Sequence, residues 1–164
     1  MKSLSKITLA AYVLFLVWLI LFKFSGDIPS VLAEYQTRSL NLIPFANVSQ
    51  ANITDVIYNF VAFVPLGLLL GVNFKQVTLW RKLAFVLAFS LGLEVTQFVL
   101  AIGATDITDV IANTSGGFLA LLLYSAGYRH AGAEKQDRFI VVAGAILLIV
   151  FILLRTFVFR VNYR

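Results

Sequence analysis

The sequence has no cysteine, a single histidine and little charge: only 13% of its 164 residues are Asp, Glu, Lys or Arg. Without cysteine there can be no disulfide, thiolate zinc or cysteine-held iron–sulfur cluster. With His130 alone, a histidine-rich metal site is also excluded. Any metal would need oxygen ligands, which suit calcium or magnesium. The shortage of charge argues against a soluble domain, in which about a quarter of residues are charged. What fills the chain is apolar: 60% of residues are hydrophobic and the mean hydropathy is +0.92. No region is polar enough to fold in water alone, so residues 1–164 read as one membrane domain. The net charge of +5 does not point to nucleic acid. The positive residues sit at the ends of apolar runs, where they anchor helices and set topology.

The apolar runs number five: 7–22, 56–74, 83–102, 107–126 and 139–154, the last extending to Phe159 if Arg155 snorkels. Each approaches the roughly 20 residues a spanning helix needs. The expected fold is therefore all-α, a polytopic bundle of five transmembrane helices. Lys2 and Lys6 precede the first run as in a signal peptide, but "KFSGDIPS" follows it without a small-x-small cleavage site. "VLA" at 31–33 is a poor match, and an uncleaved signal-anchor helix is expected. With the N-terminus inside, Lys2, Lys6, Lys75, Arg81, Lys82, Arg129, Lys135 and Arg138 are cytoplasmic, while Lys23, Arg38, Arg155, Arg160 and Arg164 are outside. This imbalance favours a cytoplasmic-membrane protein with N-terminus in and C-terminus out. The basic stretches 75–82 and 129–138 suit anionic headgroups of membrane lipids on the inner side. In the first loop, "NLIPF" at 41–45 is apolar around Pro44, which predicts a re-entrant or interfacial segment near 38–46. "NVS" and "NIT" fit the N-x-S/T pattern but are too short to weigh.

The central runs are interrupted by polar residues. With a rise of about 1.5 Å per residue, Glu94 lies about 2 Å from the middle of its run, Asn113 about 5 Å, Gln97 about 7 Å, Asn59 about 9 Å and Asp109 about 11 Å. Antiparallel neighbours place all five in the same half of the membrane, the outer half if the N-terminus is inside. Ser90, Glu94 and Gln97 share one helix face, and so do Asp106, Asp109, Asn113, Gly116 and Ala120. Facing lipid near the centre, a carboxylate costs about 2.5–3.5 kcal/mol or more, so these faces are expected to turn inward onto a shared polar pocket. Arg38 is the cation expected to meet them, and Asn113 is expected to reach toward Glu94. The plain alternative is packing. Interhelical polar contacts are worth about 0.6 kcal/mol each, Asp106 can simply cap the fourth helix, Pro65 can simply kink the second, and Gly67 and Gly71 allow close helix approach.

Four motifs in order, "RSLNLIPF" at 38–45, "NFVAFVPLG" at 59–67, "SLGLEVTQ" at 90–97 and "DITDVIANTSGG" at 106–117, resemble those of the VanZ-like family of bacterial membrane proteins. Together they cover most of residues 38–120. The resemblance implies a role in the cell envelope and a link to low-level resistance to teicoplanin, a lipoglycopeptide; it implies no reaction. Members of that family often carry Arg three residues before the first Asp of the last motif, where this chain has Gly103.

Three functional classes follow. In the first, the outer-leaflet pocket binds a lipid-linked envelope precursor, a phospholipid headgroup or a lipoglycopeptide. Arg38 holds a phosphate or carboxylate; Asn41, Asn59, Gln97, Asp106, Asp109 and Asn113 complete the ligand-binding set, with Glu94 fixing the cation. In the second, an intramembrane enzyme modifies a lipid or polyprenyl substrate, with Glu94 as general base and Asp109 as its catalytic partner. Asp106 and Asp109 would then hold a divalent cation on a phosphate. In the third, a proton-coupled carrier titrates Glu94; five spans without an inverted repeat argue against it.

Overall fold

The computed structural model describes residues 1–22, 38–46, 50–102, 104–130 and 133–162. The segment 31–33, Lys23, Asn47 and Gly103 lie outside the described residues, as does the side chain of Arg155. Five helices carry the chain back and forth: α1 (Lys2–Phe22), α2 (Gln50–Asn73), α3 (Leu79–Leu100), α4 (Ile107–His130) and α5 (Ala133–Asn162). Each is long and apolar enough to cross a membrane. Two short strands, β1 (Ser39–Asn41) and β2 (Ala104–Asp106), precede α2 and α4.

Helices overrun the apolar stretches that announce them. The second was expected to start at 56 and begins at Gln50; the fourth was expected to end at 126 and runs to His130. Polar residues at a span end can continue the backbone ladder into the interface, so hydropathy marks the apolar part of a helix and not its whole length.

The extremes of hydropathy are also the extremes of enclosure. Span α4 has the lowest mean hydropathy, 1.3, and is the most enclosed, at 44% buried; α5 has the highest, 2.6, and is the least enclosed, at 22%. Lipid can solvate α5 on most sides, whereas the polar residues of α4 require neighbours. Its principal neighbour is α2, with which it makes the most extensive helix–helix contact. Glycines permit the approach. A Cβ on Gly67 would lie 2.5 Å from the Gly117 carbonyl oxygen, and one on Gly116 would lie 2.0 Å from that of Phe60. Small residues thus let the two backbones touch.

Around this pair, α1 buries Ser5, Thr8, Tyr12, Leu16 and Ile20 along one face and turns Leu4, Ile7 and Leu14 outward. Tyr12 donates to the Ala62 carbonyl at 2.8 Å, beside the Val61 carbonyl whose usual helical donor is removed by Pro65. Leu16, Phe63, Leu66, Leu69, Val86, Leu121 and Val141 close the core between the helices.

The segment 38–46, expected to be re-entrant or interfacial, opens with a strand. β1 pairs in parallel with β2, Ser39 opposite Ala104, Leu40 opposite Thr105 and Asn41 opposite Asp106. The chain then turns tightly, with Ala46 N–H on the Ile43 carbonyl at 3.3 Å and Phe45 at φ 56°.

Candidate functional site

The ribbon gathers polar side chains where α3 ends and α4 begins. Helix α3 stops in a Schellman turn: Ala101 sits at φ 55°, Ala101 N–H bonds the Phe98 carbonyl and Ile102 N–H bonds the Gln97 carbonyl at 3.1 Å. The chain reverses into β2, and Asp106 caps α4, its Oδ1 accepting from Thr108 N–H at 2.7 Å.

Asp106 is tied to two other elements. Its Oδ2 accepts from Asn41 Nδ2 of β1 at 2.9 Å, and its backbone N–H donates to Glu94 Oε2 of α3 at 3.1 Å. The Glu94 side chain is 3% exposed, so this bond answers the requirement that a buried carboxylate find donors. Thr105 Oγ1 reinforces the junction by donating to the Glu94 carbonyl at 3.1 Å. On the other side, Asn41 Oδ1 accepts from Ile43 N–H at 3.1 Å, an Asx turn. Thr108 Oγ1 accepts from Phe45 N–H at 3.1 Å. Burial alone would raise the Asp106 carboxyl, but the bonds from Thr108 and Asn41 outweigh it and hold it below the usual carboxylate value.

The expected polar set divides. Asn41, Glu94 and Asp106 meet, and Asp109 stands in the first turn of α4. Asn113 does not reach Glu94. Its Nδ2 donates to Ser90 Oγ at 2.9 Å, one turn earlier on α3, with both residues fully buried. The Asn113 Oδ1 is buried with no hydrogen-bond partner among the described residues. Gln97 donates to the Ile20 carbonyl at 2.9 Å and fastens α3 to the last turn of α1. Asn59 is half-buried on α2. Arg38 is exposed, with its guanidinium 5.9 Å from the centroid of the Phe98 ring; it forms no ion pair among the described residues. Nor, among those residues, does any group of three or more acidic or histidine side chains converge as metal ligands. Two cavities of the structure lie at the opposite end of the bundle, around Lys75 and Gln76.

Thr108 and Thr105 were not singled out from the sequence. The signal for Thr108 was available: "DIT" places a capping Asp two residues before the amide it receives. The role of Thr105 depends on the ribbon, which has too few residues to show alternation.

Leu40, Leu42, Ile43 and Phe45 are each more than half exposed around this network. The result is a boundary patch with a cation, a carboxylate network and an apolar rim. Comparison with known proteins gives a consistent picture. The family described as VanZ/LLP1 matches residues 9–128. A curated relative, "Protein VanZ" of Enterococcus faecium, is 49% identical over 162 residues, covering 99% of this chain and 98% of its own. No solved structure matches.

Proposed function

The chain belongs to the VanZ/LLP1 family, and on that footing we propose that its ribbon end is a binding and protection module of the cell envelope. It engages, at the outer leaflet, a lipid-linked precursor or a lipoglycopeptide and lowers teicoplanin action. The observation that carries this reading is the fastening of Asn41 and Phe45 to the α4 cap. It fixes the segment that carries exposed Leu42, Ile43 and Phe45 just after β1, while exposed Arg38 stands just before that strand, its guanidinium 5.9 Å from the Phe98 ring centroid. A ligand with an anionic head and an acyl chain matches such a patch: the guanidinium takes a phosphate or carboxylate in bidentate fashion, and the apolar rim takes the chain. The distribution of basic residues supports placing this end outside.

The test compares cells with and without the protein for growth inhibition by teicoplanin and by a glycopeptide lacking the acyl chain. Protection against teicoplanin alone, lost in Arg38→Gln with membrane levels unchanged, is the expected result. Envelope precursors from the same cells are compared by mass spectrometry. A precursor of altered mass would replace the binding reading with an enzymatic one.

A further inference from the structure

At the end opposite the ribbon, where α1 begins, α2 ends and α5 begins, an open cavity of about 920 Å³ penetrates between the three helices. That volume falls within the range of small-ligand sites. Its floor is apolar, with Val72, Val77 and Val141. One wall is fixed by Asn73, whose Nδ2 donates to the Ser5 carbonyl of α1 at 3.2 Å and to the Leu69 carbonyl at 2.9 Å. Another is fixed by Asp137, which pairs with Lys75 and accepts from Tyr124 O–H at 2.9 Å.

The rim is charged. With Asp137 and Lys75 taken by each other, Lys2, Lys6, Lys135 and Arg138 face the cavity against Glu134 alone. None of these four cations forms an ion pair among the described residues. Four cations lining one cavity outnumber the carboxylates there and give it a positive potential, which favours an anion. The depth of the site narrows the choice of anion. The spans Lys2–Phe22, Ile53–Asn73 and Glu134–Leu154 all start or stop here, so the cavity mouth lies at the level of lipid headgroups. Exposed Ile7 and Phe139 offer apolar surface alongside, where an acyl chain can run.

We propose that this cavity binds the phosphate headgroup of an anionic membrane lipid in the leaflet facing the N-terminal end. The site is separate from the ribbon end and does not depend on the role assigned there.

The test uses the full chain in zwitterionic nanodiscs, titrated with phosphatidylglycerol or phosphatidylcholine and read by native mass spectrometry. Phosphatidylglycerol is expected to bind at least about tenfold more tightly, and the double variant Lys6→Gln/Arg138→Gln to lose about tenfold of that affinity. The charge-conserving pair Lys6→Arg/Arg138→Lys retains binding. So does Arg81→Gln, which removes an exposed cation at the start of α3 that does not line the cavity. Equal binding of the two lipids overturns the proposal, as does an equal loss in Arg81→Gln, which marks general surface charge. Displacement of the lipid by millimolar inorganic phosphate also overturns it and marks a free-phosphate site; failure to displace supports the lipid.

Discussion

Asp106 joins three segments through one short side chain and one amide. Its two carboxylate oxygens and its N–H serve α4, β1 and α3. Replacement by Ala removes a cap worth about 1–2 kcal/mol and unfastens Asn41, so thermal unfolding in detergent should shift down accordingly. Asn keeps the cap but turns an N–H toward Asn41, and should fall between the two. Because the folded carboxyl is held below its usual value, its contribution is complete above the unfolded value, about 3.9, and is lost as pH falls through the lowered folded one. The difference in stability between wild type and Asp106→Ala should therefore stay flat from neutrality down to about pH 4 and shrink only below it. Glu94→Gln keeps an acceptor for the Asp106 amide while removing the carboxyl group. It should insert and fold normally yet abolish any protective phenotype; loss of insertion would make Glu94 a folding residue instead.

The five helices were legible in the sequence because each needs only a long apolar run. The faces of α3 and α4 were legible too, since Ser90, Glu94 and Gln97 of α3 and Asn113, Gly116 and Ala120 of α4 do turn inward. Partners were not legible. Spacing along one helix gives a direction but not the rotation of its neighbour, so Asn113 meets Ser90 and Gln97 meets the Ile20 carbonyl. The ribbon was hidden for a different reason: Asn41 pairs with a residue 65 positions away, and a three-residue strand carries no periodic signal. The α2–α4 contact makes the sharpest element-scale prediction. In Gly116→Ala the new methyl meets the Phe60 carbonyl, at a cost of about 3 kcal/mol or more. Gly92→Ala, where nothing lies within 4 Å, should instead gain about 0.5–1 kcal/mol from helix propensity. Ala101→Gly should relieve about 1 kcal/mol of left-handed strain at the Schellman turn. Thermal shifts of the three purified variants check the order.

At the scale of the whole molecule, the two ends differ in kind. One is a hydrogen-bonded network with an apolar rim; the other is a basic cavity. The absence of native cysteine makes their sidedness directly measurable. Single-cysteine variants Leu42→Cys and Gln76→Cys, treated in intact cells with a membrane-impermeant maleimide, should label at Leu42→Cys only. Labelling at Gln76→Cys alone would reverse the orientation and place the ribbon in the cytoplasm.

The parallel ribbon also imposes a delay on synthesis. At roughly 5–20 residues per second, the 65 positions from Asn41 to Asp106 take roughly 3–13 s to emerge. Through that interval β1 waits without its mate while α2 and α3 are inserted. A nascent chain halted before residue 104 can contain three spans and still lack the fastening of its first loop. Completion of that loop therefore reports that three spans have been made and that the segment leading into the fourth has emerged.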